Sequence, residues 1–220
     1  MALGARTARP VGGKRRYGSD RRAVAGAREA RSMSDQILWY ATRGAGAVSL
    51  VLLTGVVVLG IAGALRWQTA GWPRFLTTSF HRNLSLLSLV FLSIHIVTAV
   101  VDPFTALGWT AAVIPFLSPY RRVWLGLGVV ATDLLLAIAV TSLLRRVIGR
   151  KVWRLIHWLA YACWPIAVVH GIGTGSDTTF LWMLAIDAAS VLSVLAAVAW
   201  RLSVRPAAGP AIRPAPEPTW

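Results

Sequence analysis

Long apolar blocks separated by short basic stretches dominate the chain. Five of them reach the roughly 20 residues that an α-helix needs to cross a bilayer. They are Ala45–Leu65, His81–Val101, Val123–Leu144, Val152–Gly171 and Phe180–Trp200. All exceed the usual strand length and none alternates apolar with polar residues as barrel strands do, so each predicts a helix. A sixth apolar block, Thr105–Leu117, is much shorter and contains Pro115. It cannot span and predicts an interfacial or re-entrant piece. Tryptophans sit near the block ends (Trp39, Trp67, Trp124, Trp153, Trp182 and Trp200) and read as interfacial anchors. The expected fold class is all-α: an integral membrane bundle of about five transmembrane helices.

Composition agrees with the pattern. Only 14% of the 220 residues are charged, against about 25% in soluble domains, which excludes an ordinary soluble globule. Cys163 is the single cysteine, so an intramolecular disulfide, a thiolate iron–sulfur site and a C-x-x-C-H haem attachment are all excluded. The length leaves no room for a second catalytic domain beside a membrane core. The formal charge of +15 is uneven, with nine Lys/Arg in residues 1–32 against Asp20 and Glu29. If the first helix starts outside, the inner loops carry 11 Lys/Arg and the outer side only Arg43, Arg121 and Arg122, a strong positive-inside bias. The basic stretch 1–32 opposes it. Either it forms a genuine basic arm, or translation starts at Met33, the favoured reading. Residues 1–36 are expected to be a disordered tail, 37–201 the membrane domain, and the Pro/Ala-rich 202–220 a flexible tail.

All four histidines fall in two of the predicted helices. His81 and His95 are 14 residues apart in the second span; His157 and His170 are 13 apart in the fourth. One helix lies between, so the two run parallel, with His81 and His157 sharing one membrane side and His95 and His170 the other. Ionisable residues inside a membrane mark functional sites by default. At about 1.5 Å per residue each pair spans roughly 20 Å, so two stacked His–His sites are expected, one near each leaflet. Zinc would want a third or fourth ligand, and no Cys, Asp or Glu lies within a turn of any histidine. A b-type haem needs two axial ligands and brings a large apolar surface. Two haem b groups between the second and fourth helices are therefore expected. The spacing leaves His157 and His170 about 140° apart on an ideal helix, so either Pro165 bends this helix or the haems approach it from different sides.

These residues resemble the ferric reductase-like transmembrane domain, a superfamily that includes NADPH oxidases, ferric reductases and the haem subunit of the bacterial methionine sulfoxide reductase system. The matching pieces are HRNLSLLSLVFLSIH (His81–His95), HWLAYACWPIAVVH (His157–His170) and the basic linker RRVIGRKVWR, within about residues 37–201. The resemblance implies an inner, cytoplasmic haem on His81 and His157 and an outer haem on His95 and His170. It also marks two departures. The best-known oxidases have a sixth helix, and they carry a C-terminal flavin- and nicotinamide-binding domain. Here no G-x-G-x-x-G follows a strand, so no FAD or NAD(P)H site is expected in this chain.

Arg82, Lys151 and Arg154 are candidate partners for the inner haem's propionates, and Arg43, Arg121 and Arg122 for the outer ones. Each reads equally well as a topology signal. Asp133 and Asp187 read as relay groups or as protonated, hydrogen-bonded carboxyls; Cys163 as a small core residue; and Gly44, Gly46, Gly55, Gly60 and Gly63 as packing glycines. The leading expectation is a multi-pass electron conduit in the cytoplasmic membrane. A separate flavoprotein reductase or quinol would donate, and an external flavoprotein, a reductase or ferric iron would accept. Its partners would be the bilayer and redox species, not nucleic acid. The competing readings are a haem-free His/Asp133 proton relay or transporter, and a membrane-anchor subunit of an oxidoreductase complex.

Overall fold

The computed structural model describes residues 14–103, 105, 107–175 and 180–204. They form seven helices: α1 (Lys14–Ala64), α2 (Arg74–Val101), α3 (Gly108–Val113), α4 (Arg122–Leu143), α5 (Arg145–His157), α6 (Ala160–Thr174) and α7 (Leu181–Ser203). Among the described residues there is no strand, only an isolated bridge between Thr69 and Trp72. The apolar parts of α1, α2, α4 and α7 are each long enough to cross a membrane, and the bent pair α5–α6 supplies a fifth span. The chain is thus a multi-pass membrane protein. The block Thr105–Leu117 holds only the short α3.

Two features differ from the sequence expectation. First, α1 begins at Lys14, so residues 14–36, expected as disordered tail, continue the first span as helix. Residues 14–36 contain no proline and many Ala and Arg, and extending a nucleated helix costs little. Residues 1–13 and the stretch 205–220 lie outside the described residues. Second, the fourth span is not one helix bent at Pro165. It breaks by 46° between α5 and α6, at Trp158 and Leu159, while Pro165 sits inside α6. Around the break the backbone bonds tighten: Leu159 N–H donates to Ile156, Tyr161 to Trp158 and Ala162 to Leu159. Such i→i+3 turns advance about 120° per residue instead of about 100°. α5 has its own break at Gly149 (φ 80°, ψ 161°), a conformation that glycine adopts without steric cost.

α1 is the spine. It packs along α2 on one side and α7 on another, and touches α6; α4 packs against α5 and α6. The main core joins Leu50, Val57 and Ile61 of α1 to Trp164 and Val168 of α6 and to Val194 and Ala197 of α7. Lipid cannot hydrogen-bond a buried indole N–H. Trp164 Nε1 therefore donates to Thr54 Oγ1 (3.0 Å), whose own hydroxyl donates to the Leu50 carbonyl. α2 follows α1 closely but is not packed along α4 or α6. The bundle is left with a gap between α2 and the α4–α6 pair.

Ile61 is fully buried at this junction. Because lipid tails are as apolar as the core, truncation there costs mainly the cavity left behind. Ile61→Ala is expected to destabilise the bundle by about 2 kcal/mol, read from unfolding by sodium dodecyl sulfate in mixed micelles.

Paired histidines across the interhelical gap

The four histidines close this gap in two places. The rings of His81 and His157 have centroids 6.2 Å apart with planes at 67°. Those of His95 and His170 are 6.3 Å apart at 78°. Their spacing on α2 returns to within about 40° of the same helix face, so His81 and His95 project from one side. The tightened turn after His157 adds part of the rotation that an ideal helix from His157 to His170 lacks, and with the 46° kink each ring lies beside its partner. Among the described residues no group of three or more His, Cys, Asp and Glu comes together; the donor sets are pairs.

Three of the rings are fixed by backbone carbonyls of neighbouring helices. His81 Nδ1 meets the Val56 oxygen at 3.0 Å, His95 Nδ1 meets Thr42 at 2.8 Å, and His170 Nδ1 meets Trp124 at 2.8 Å. A carbonyl only accepts, so each Nδ1 carries the proton and donates it. That leaves the Nε2 lone pair of each ring free for a ligand.

The sequence reading missed what admits these rings. A helical carbonyl already accepts the N–H four residues on and offers its second lone pair sideways, where the side chain at i+4 crowds it. In all three cases that residue is glycine: Gly46 follows Thr42, Gly60 follows Val56 and Gly128 follows Trp124. A Cβ would lie 3.0 Å from His95 at Gly46, 3.4 Å from His81 at Gly60 and 2.5 Å from His170 at Gly128. One signal was available: Gly46 and Gly60 are 14 apart in α1, as His81 and His95 are in α2.

His157 is held differently. Its Nδ1 is buried without a hydrogen-bond partner, and its ring stacks on Trp153 at 4.9 Å. Trp153 is tied by its Nε1 to Ser142 Oγ (3.2 Å) and carries the Arg145 guanidinium over its ring, so it is more than an interfacial anchor. The neighbouring break is clamped by Arg201 of α7, which donates to the Tyr161 hydroxyl (2.6 Å) and lies over the Trp158 ring.

Beside the outer pair lies a cavity of about 280 Å³, mostly apolar, whose lining includes Arg43, Gly46, Leu92, Gly128, Leu135 and Cys163. Arg43 stacks over Trp39. Arg121, in a left-handed conformation, donates to the Gly173 and Thr174 carbonyls at the end of α6, and Arg122 donates to Phe116. These two therefore brace the outer end of the bundle. Arg82, Lys151 and Arg154 are exposed. Asp133 is exposed on the outside of the bundle, whereas Asp187 is buried with one carboxyl oxygen unpartnered. Cys163 is buried and its thiol donates to the Ala131 carbonyl.

The chain is thus a polytopic helical bundle with two histidine pairs set across an internal gap. The chain belongs to the family described as ferric reductase like transmembrane component, whose model matches residues 45–173. That range is more than half of the chain and contains all four histidines; α7 lies beyond it. Members of this family typically bind haem and serve as membrane electron-transfer components. No curated protein matches the chain, and no solved structure does.

Gly128→Ala would drive a Cβ into the His170 ring, whereas nothing lies within 4 Å of a Cβ at Gly44. Overpacking of this kind costs about 1–3 kcal/mol, while an unhindered Gly→Ala in a helix gains up to ~1 kcal/mol. Thermal unfolding in detergent should fall for Gly128→Ala and hold or rise for Gly44→Ala.

Proposed function

We propose that the protein is a di-haem b electron conduit of the cytoplasmic membrane. His81 and His157 would hold an inner haem and His95 and His170 an outer one. The observation that carries this reading is the ring separation within the two pairs. A five-membered ring with bonds of about 1.35 Å puts its nitrogen about 1.2 Å from the centroid. Two such nitrogens each about 2.0 Å from a metal held between them would set the centroids about 6.4 Å apart. The observed values are 6.2 and 6.3 Å.

Three further features of the chain fit the group. The gap between α2 and α4–α6 leaves space that close packing, with axes about 8–10 Å apart, would remove. The cavity beside His95 and His170 is apolar, as a macrocycle requires. Three of the four rings present Nε2, with Nδ1–H held by a carbonyl, the arrangement that fixes a metal-binding imidazole's tautomer and orientation. When bound, haem supplies reversible one-electron oxidation and reduction of iron.

The residues of the chain set the conditions for that chemistry. With two histidines holding each group, small molecules would be kept from the metal and electron transfer would be outer-sphere. α2 carries one histidine of each pair, so a single rigid helix fixes the distance between the two sites at about 21 Å along its axis. Arg82, Lys151 and Arg154 are exposed on the basic side, suited to propionates or to an acidic partner. Counted from Met33, the loop-charge bias favours His81 and His157 on the cytoplasmic side. Electrons would enter there from a separate flavoprotein reductase or from quinol, each donor being oxidised as the chain is reduced. They would leave to an acceptor at the outer face: a flavoprotein, a reductase or ferric iron.

The test is a dithionite-reduced minus oxidised visible spectrum of detergent-purified protein with a haem-to-protein ratio. Low-spin b-type bands at about two haems per chain are expected. A colourless protein, after expression with added haem precursor, overturns the proposal. His95→Ala combined with His170→Ala should remove one haem and spare the other; retention of both would refute the pairing.

A further inference from the structure

Asp133 stands at the middle of α4, the depth at which a carboxyl in lipid is most costly. It is exposed, and no hydrogen bond or ion pair involves it among the described residues. Ionisable groups at this depth ordinarily face the bundle interior or a water-filled cavity. Asp133 faces neither, as the three sides of α4 show. Leu125, Gly128, Thr132 and Leu135 line the cavity beside the outer pair. Ala131, Leu134 and Ile138 pack against α6. The third side carries Val130, Asp133, Ala137, Val140 and, at the C-cap, Leu144. Asp133, Val140 and Leu144 are exposed there, and Val130 and Ala137 are half-buried.

The residues of this third side follow one another at intervals of three and four in turn. That is the repeat of a left-handed helix pair, in which such a stripe meets the same kind of stripe on a partner helix. A single polar residue in an apolar stripe of this kind fixes register and partner number. Asp133 is that residue.

The chemistry of Asp133 selects the partner. In hydrocarbon a carboxyl is least costly when neutral and hydrogen-bonded. A neutral carboxyl has one O–H to donate and an oxygen to accept, so two of them satisfy each other. Copies of one chain share one orientation in the membrane. A two-fold axis along the bilayer normal therefore sets the same residue of each copy at the same depth. A second copy thus brings the complementary group to the level where Asp133 needs it.

We infer that the chain forms a two-fold dimer through this side of α4, with the Asp133 carboxyls of the two copies hydrogen-bonded to each other. Ala137, one turn on from Asp133, is small enough to let the two helices approach closely. The interface lies on a different side of α4 from the gap, so it does not depend on what the histidine pairs bind.

The test is cross-linking of the full chain in its membrane. Cys163 is the single cysteine and is buried, so introduced thiols can be read against a silent background. Val140→Cys and Leu144→Cys, oxidised with copper phenanthroline, should each give a disulfide-linked species of twice the chain mass. Val90→Cys and Leu195→Cys, exposed on α2 and α7, should give none, and neither should the wild type. Analytical ultracentrifugation in detergent adds a second readout. Asp133→Ala should weaken self-association about tenfold, the worth of an interhelical hydrogen bond in lipid. Asp133→Asn, which still donates and accepts, should associate as the wild type does. If Asp133→Ala does not fold, the cross-links decide, because they leave Asp133 in place. Absence of cross-links at Val140→Cys and Leu144→Cys, or equal cross-linking from α2 and α7, overturns the inference. So does a cross-linked species whose added mass is that of another protein, which would make the partner a foreign helix. Equal association of wild type and Asp133→Ala overturns the carboxyl pairing. Haem content enters none of these readouts, so their failure and that of the functional reading are separate.

Discussion

The structure turns on a hydrogen bond between helices: an imidazole N–H given to a main-chain carbonyl that is already part of a helix. Each such bond does two jobs. It ties a histidine-bearing helix to its neighbour, and it decides which ring nitrogen faces the gap. α1 provides two of these carbonyls and α4 one, which gives both helices a role although neither carries a histidine. In lipid there is no water to satisfy a loose imidazole N–H, so the orientation of the ring and the packing of the bundle are settled together.

The gap follows from the same constraint. Helices driven together by dispersion alone close to the limit set by their side chains. α2 is kept from closing on α4 and α6 by its histidines, which meet those of α5 and α6 across the gap, and it stays pinned to α1 by the bonds to Thr42 and Val56. The break at Trp158–Leu159 serves the opposite wall. Without it His157 and His170 would point in different directions. Arg201, reaching across from α7, holds the break from outside, so a helix with no part in the pairs still shapes one of them.

Much of this was legible in the sequence. Five apolar blocks in a chain with few charges fix the number of spans. Four histidines in two of those blocks fix the pairs, because a polar residue in an apolar helix has few places to go. Sequence reasoning did not reach the carbonyls, since any residue has one, nor the role of Gly46, Gly60 and Gly128, since glycines in membrane helices ordinarily serve close packing. For the fourth span it offered a bend at Pro165 or haems approaching from different sides, and left the two open. The bend lies at Trp158 and Leu159, where neither Gly nor Pro marks it and where tertiary contacts with Tyr161 and Arg201 decide the backbone. Residues 14–36 were misjudged for another reason: composition argued against a core, but a helix growing from a membrane span needs none.

The matching intervals on α1 and α2 carry a consequence for how such a chain can vary. Gly46 lies level with His95 and Gly60 with His81, so the two helices mesh at both ends like a rack against its pinion. Substitution between the teeth leaves their spacing intact. Insertion or deletion of a single residue between them shifts every later position by about 1.5 Å and turns it through about 100°, which leaves one end engaged and disengages the other. The segments between Gly46 and Gly60 and between His81 and His95 are therefore constrained in length as well as in the residues that make contacts.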